Sequence, residues 1–386
     1  MTLTTLIIAM TAVISPGVST LGPNPCATSS EWPLWDTYVS AFVSPDGRVV
    51  DPMFDDHSTS EGQAYALFFA LVNDDRPLFS RILTWTQNNL AEGNLRGRLP
   101  AWRWGRLSGG GWGILDENAA SDADTWISYI LLEAGRLWSS NTYGELGTAM
   151  LQRIVTEEVT DIPGQGPMLL PGPLGFAEED GSRRMNLSYL PPQLLRRFAL
   201  EQPTGPWANI ENVGLKALQA TAPHGLVADW VAFDTANGFT HDPVTGPIGS
   251  YDAIRTYLWS GMLSATDRLA SAWRRQTSGM YRHWADTGVV PEHVRTDSGE
   301  NHKQSHGSVG FLATLLPEAV NRGDVLAQAQ ISRAIDAARM ERLSGVPNAY
   351  YDHNLTLFAT GYGEGRFSFD SRGRLQPSWG TTCTGS

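Results

Sequence analysis

Three short acidic stretches stand where this chain enters helical patterns: Ser58-Thr59-Ser60-Glu61-Gly62-Gln63, Ala120-Ser121-Asp122-Ala123-Asp124 and Gly249-Ser250-Tyr251-Asp252-Ala253-Ile254-Arg255. Carboxyl groups drawn from separate stretches are what breaking a sugar–sugar bond requires. One carboxylic acid protonates the leaving oxygen while a carboxylate directs water or attacks carbon. Each stretch also has a plain structural reading. Ser58 and Glu61 have capping-box spacing, in which Glu61 would reach back to the cap's N–H. Against that, Gly62 is a poor helix former for a first turn and leaves room for a ligand. A helix N-terminus favours the ionised carboxylate, so an acid at Glu61 needs burial or a neighbouring carboxylate to raise its pKa. Ser121 and Asp124 repeat the capping-box spacing. Asp122 and Asp124, two apart, diverge on a helix, so one is expected to face a site and the other to hold backbone. Arg255, three residues after Asp252, shares its face and reads as an ordinary ion pair.

Other chemistries fit poorly. The 386 residues carry 40 acidic and 28 basic side chains, net −12, against the dense positive charge that nucleic acid demands. Only two lysines occur, Lys216 and Lys303, and neither belongs to a phosphate-binding G-K-[ST] loop. His302 and His306 are four apart, but Lys303 occupies the place of a zinc-protease glutamate. No G-x-S-x-G elbow is present, and Gly361-Tyr362-Gly363-Glu364-Gly365 lacks a dinucleotide loop's context. No metal or cofactor is called for. The 14 Trp, 11 Tyr and 13 Phe exceed what a core of this size needs, and flat rings with polar edges suit sugars.

The elements that must position these groups are mostly helices. Apolar stripes at helical spacing run through Tyr65–Val72, Phe79–Leu90 and Trp126–Trp138. Further helices are expected over about 31–43, 143–159, 189–201, 207–221, 252–270, 308–320 and 324–342. Strand-like alternation is short, as at Trp230-Val231-Ala232-Phe233, and long connections fall at 93–120 and 161–186. No linker divides the chain. One all-α domain of helical hairpins is expected, as a barrel or a solenoid.

An apolar run from Leu3 to Ile14 is too short to span a bilayer and is placed like a signal-peptide core, though no Lys or Arg precedes it. A buried N-terminal helix is the other reading. With residues 1–22 as a signal segment, the mature chain is 23–386, without a membrane span. Cys26 and Cys383 in an exported chain read as one disulfide joining the ends, worth at most roughly 5–6 kcal/mol on chain-entropy grounds.

With these residues in view the chain resembles glycoside hydrolase family 8. The resemblance rests on Ser60-Glu61-Gly62-Gln63, Trp85-Thr86-Gln87-Asn88-Asn89-Leu90, Leu99-Pro100-Ala101-Trp102, Ala120-Ser121-Asp122-Ala123-Asp124 and Leu132-Glu133-Ala134-Gly135-Arg136-Leu137-Trp138. It continues through Ser188-Tyr189-Leu190-Pro191-Pro192, Ser250-Tyr251-Asp252-Ala253-Ile254-Arg255 and Leu355-Thr356-Leu357-Phe358, in order over roughly 30–383. Ser128 and Ile130 depart from the small residues usual in the family's signature helix. The resemblance implies an (α/α)6 barrel and endo cleavage of β-1,4-glucan with inversion. It implies a periplasmic or secreted location, and glucan chains and the cellulose synthase machinery as partners. Glu61 matches the general acid, Asp252 the general base, and Tyr189 a residue near the attacking water. Asp122 matches a catalytic carboxylate sometimes called the nucleophile, which with inversion holds and distorts the sugar in subsite −1, and Arg255 should orient Asp252. Asp124 is grouped with the substrate-binding residues; Trp102, Trp112, Trp126 and Tyr251 are candidate sugar-stacking rings. A xylanase or chitosanase of the same fold, or a non-catalytic glycan-binding export subunit, are the alternatives.

Overall fold

Asn73-Asp74-Asp75 turns the chain between helices α2 (Ser60–Val72) and α3 (Arg76–Leu90), and Asp75 Oδ1 accepts the Leu78 N–H at 3.0 Å to start the second. The same hairpin plan recurs in α4 (Ser121–Leu137) with α5 (Asn141–Glu157), in α6 (Pro192–Glu201) with α7 (Trp207–Thr221), and in α8 (Ile254–Gly261) with α9 (Ala270–Thr287). Two short helices, α10 (Val309–Ala313) and α11 (Leu316–Arg322), precede α12 (Val325–Leu343) and α13 (Tyr350–Gly363), while α1 (Pro33–Phe42) opens the series. The computed structural model describes residues 31–304, 306–343 and 350–380. The segment 1–22 and both cysteines, Cys26 and Cys383, lie outside the described residues.

Helices α2, α4 and α8 are buried on nearly every face, whereas α3, α5 and α9 bury one stripe. A helix apolar all round belongs to an inner layer. The inner helices touch in sequence: α2 with α4, α4 with α6, α6 with α8, α8 with α11 and α13. Phe358 of α13 meets Phe69 of α2 at 4.7 Å between ring centres, bringing the series back to its start. Outside them, α3 packs on α2, α5 on α4, α7 on α6, α9 on α8, α12 on α10 and α11, and α1 on α13.

Where the inner helices meet, Phe68, Trp126, Trp259 and Phe358, one from each of α2, α4, α8 and α13, pack with ring centres 5.0–5.3 Å apart. Each such ring adds roughly 1.5–3 kcal/mol by leaving water. Tyr65 stands on this cluster, 5.2 Å from Phe358 and 6.2 Å from Trp126. The centre of the fold thus forms a rigid floor under the Tyr65 hydroxyl.

The connections carry short antiparallel strands, of which the sequence marks only the one at Trp230-Val231-Ala232-Phe233. Arg103–Arg106 pairs with Trp112–Asp116 and with Ser58–Thr59. Val159–Ile162 pairs with Gly166–Leu169, and Arg183–Met185 with Val231–Asp234, which also pairs with Gly238–His241. Strands of two to five residues are too short for alternation to register. The tight end of the first hairpin uses Gly110 and Gly111 at φ +87° and +83°, where a side chain would be strained.

Two helix expectations are corrected and two helices are added. The stretch 252–270 is not one helix: α8 ends at Gly261, and Asp267 Oδ1 accepts the Leu269 N–H at 2.8 Å just before α9. The stretch 308–320 breaks between α10 and α11, with Pro317 in the first turn of α11. Helices α9 and α13 are absent from the expected set. The buried Asp352, His353, Asn354 and Thr356 break the apolar stripe of α13. No helix among the described residues is long and apolar enough to cross a membrane.

Candidate active site

Glu61 is the second residue of α2, brought in by the strand Ser58–Thr59. Ser60 donates its N–H to the Trp102 carbonyl at 2.9 Å, and the Trp102 indole N–H returns to Glu61 Oε1, also at 2.9 Å. The helix is capped by Thr59, whose Oγ1 accepts the Gly62 N–H at 3.2 Å. The Ser58–Glu61 capping box is therefore not formed. Gly62 leaves room for a side chain rather than a ligand: a Cβ there would run into the Tyr350 hydroxyl. Burial and then the nearby Asp122 charge push the Glu61 carboxyl up to about 7, against the opposing pull of Arg255 and the Trp102 N–H.

Asp122 is 2% exposed at the start of α4. Its Oδ1 accepts the Ala123 N–H at 2.9 Å, and its Oδ2 accepts Arg255 Nη1 at 2.8 Å. Burial holds its carboxyl above the usual range in spite of Arg255. The other terminal nitrogen of Arg255, Nη2, donates to Asp252 Oδ1 at 2.8 Å. The expected Asp252–Arg255 pair is present, and the same guanidinium also binds Asp122. Arg255 is anchored from below by Tyr65, Nη1 to Oη at 3.3 Å, and lies 5.4 Å from the Tyr189 ring centre. Tyr189 closes the short helix Leu187–Tyr189, which is tied to α8 by the Trp259 indole N–H donating to the Ser188 carbonyl at 2.9 Å. Asp252 keeps 32% of its side chain exposed. Glu61, Asp122, Asp252, Arg255, Tyr189 and Trp102 thus gather above the Tyr65 floor.

Two of the sequence-selected residues stand elsewhere. Trp126 is 1% exposed inside the aromatic floor and has no face free for a sugar. Asp124 is fully buried and meets the equally buried Glu158 rather than a substrate or the helix cap. The N-cap of α4 is Ala120, without a side-chain bond, so the Ser121–Asp124 capping box is not formed. Burial first, and then Glu158, raise the Asp124 carboxyl well above its ordinary value. Burial also raises Glu158. Two buried carboxyls so placed resist ionising together.

Trp112 and Tyr251 are partly exposed, and the Arg48 and Arg106 guanidiniums lie 4.5 Å and 4.9 Å from the Trp112 ring centre. Trp112 is 40% exposed and stacks on Trp104 at 5.2 Å along the hairpin that carries Trp102. Tyr251 is 50% exposed, donates to Glu292 Oε1 at 2.6 Å and packs on Phe311 at 5.0 Å. Tyr351 donates to the Tyr251 carbonyl at 2.5 Å. Tyr65, Tyr351 and Asp229 escape the sequence reading. Of these only Tyr65 leaves a trace, four residues beyond Glu61 on one helix face.

The model of the family described as glycosyl hydrolases family 8 matches residues 22–365. The chain belongs to that family. An endoglucanase of Salmonella typhi is 44% identical over 356 residues, covering 92% of this chain and 93% of its own. An endoglucanase of Xanthomonas axonopodis pv. citri (strain 306) is 44% identical over 376 residues, covering 97% and 95%. The crystal structure of an endo-1,4-D-glucanase from Vibrio fischeri ES114 superposes with a TM-score of 0.83 at 36% identity, over 90% of this chain and 99% of that one.

Proposed function

We propose that this chain is a periplasmic or secreted endo-β-1,4-glucanase that cleaves cellulose chains with inversion in the context of bacterial cellulose synthesis, as one (α/α)6-barrel domain. Glu61, protonated near neutral pH, gives its proton to the glycosidic oxygen as the C1–O bond breaks. Asp252 takes a proton from the water that bonds to C1 from the opposite face, with Tyr189 beside that water. The two carboxyls need roughly 6.5–9.5 Å between them to admit it. Asp122 holds the sugar in subsite −1, and Arg255 fixes both aspartates. Trp102, Trp112 and Tyr251 line the glucan path. Trp126 and Asp124 serve the fold.

The single observation that carries this reading is Glu61: a carboxyl held in place at 2.9 Å by the Trp102 N–H and raised to about 7 by burial and Asp122, in spite of that hydrogen bond, suits a general acid. The test is reducing-end release from carboxymethyl-cellulose, xylan and chitosan side by side, for wild type and for Glu61→Gln. Release from the cellulose derivative that Glu61→Gln abolishes supports the reading. Faster release from xylan or chitosan replaces the substrate, and no release from any leaves a glycan-binding protein.

A further inference from the structure

Asp229 lies in the connection between α7 and the strand Val231–Asp234, with nothing in its sequence surroundings to mark it. Its own N–H donates to the Ile248 carbonyl at 2.9 Å. Its Oδ1 accepts three backbone N–H groups: Ser250 at 2.7 Å, Ala253 at 2.8 Å and Asp252 itself at 3.1 Å. The neighbouring backbone is fastened as closely. Gly249 sits against the Val227 carbonyl where any Cβ would collide, Tyr257 Oη accepts the Val227 N–H at 2.7 Å, and Ser250 Oγ donates to the Glu292 carbonyl at 2.7 Å. Helix α8 has no side-chain cap from its own N-cap residue, Ala253. A carboxylate from a distant stretch does that work instead.

Asp252 is held at its side chain by Arg255 through Oδ1. A carboxylate that must direct water needs its backbone fixed as well, because a displacement of about 1 Å costs on the order of 100-fold in rate. We infer that Asp229 is a positioning residue for hydrolysis: by gathering the N–H groups of Ser250, Asp252 and Ala253 it sets where the Asp252 carboxylate stands against the attacking water. This rests on the reading of Asp252 as general base. Burial pushes the Asp229 carboxyl up to about 6 while the three N–H donors pull it down, in keeping with a group kept for its acceptor oxygen.

The experiment compares Asp229→Ala, Asp229→Asn and Asp252→Asn by kcat and KM on cellohexaose, with thermal unfolding alongside. Asp229→Ala is expected to lose about 100-fold in kcat with KM changed less than about twofold. Asp229→Asn keeps an acceptor oxygen and should stay within about fivefold of wild type. Should Asp229→Ala not fold, Asp229→Ser, too short to reach the three amides, takes its place. A kcat within about threefold of wild type in the Ala or Ser variant overturns the inference. So does an equal loss in Asp229→Asn and Asp229→Ala that follows a fall in melting temperature, the mark of a purely structural role. Asp252→Asn separates the two readings. If it stays active, the base assignment fails; if it is inactive while Asp229→Ala is not, only the positioning role fails.

Discussion

Arg255 and Asp122 form an ion pair at 2.8 Å in which the side chains are 8% and 2% exposed, and the remaining terminal nitrogen of Arg255 reaches Asp252. A buried pair of this kind adds little net stability, but breaking it strands a charge at a cost of about 3–5 kcal/mol. Arg255→Ala should therefore lose about that much in urea unfolding. The double variant Asp122→Ala/Arg255→Ala should recover part of it. Arg255→Lys presents one ammonium where two separate nitrogens are used, and should fold while losing about 100-fold in turnover. An Arg255→Ala variant as stable as wild type contradicts the pairing.

The Trp102 N–H stabilises the ionised form of Glu61. Removing it with Trp102→Phe raises the Glu61 pKa. A general acid works only while protonated, so with Glu61 as the acid wild-type activity is expected to fall as pH rises through about 7. The alkaline limb of the kcat/KM profile should move to higher pH in Trp102→Phe. A shift to lower pH would reverse the assigned sign.

Tryptophans 112 and 126 divide function from packing. Trp112→Ala should raise KM on long glucans by about 1–2 kcal/mol in binding, with melting temperature little changed. Trp126→Ala should cost about 3–5 kcal/mol of stability through the cavity it leaves. The reverse pattern would mean that the Trp112 ring is not on the substrate path.

Asp124 and Glu158 give a stability signature. Their native pKa values lie above the unfolded values of about 4. The native state then binds more protons than the unfolded one, so stability falls as pH rises from about 4. Asp124→Asn removes one of the two acids. Its stability relative to wild type should improve between pH 5 and pH 8, read by urea unfolding at both values. A variant that becomes relatively weaker at pH 8 contradicts the upward shift of these carboxyls.

These tests reflect what a sequence makes visible. Glu61, Asp122 and Asp252 are legible because each stands beside a turn-to-helix boundary, and such boundaries announce themselves through Ser, Thr and Gly. Which way a carboxyl points is not legible. Asp122 and Asp124 share one turn, yet one meets Arg255 and the other Glu158 from the end of α5. The stripes of α3 and α7 show because one face is apolar. Helix α13 hides because it buries polar groups, and the hairpin carrying Trp102 and Trp112 hides because its strands are short. Asp229 acts only on backbone N–H groups of a remote loop, a partnership that no local spacing encodes.

The most direct measurement is proton NMR of cellohexaose hydrolysis, followed from the first minutes before mutarotation equilibrates the products. With Glu61 as acid and Asp252 directing water across the sugar, the first new anomeric signal is the α-anomer. A β-anomer appearing first would mean a double displacement through a covalent intermediate, and would contradict the account.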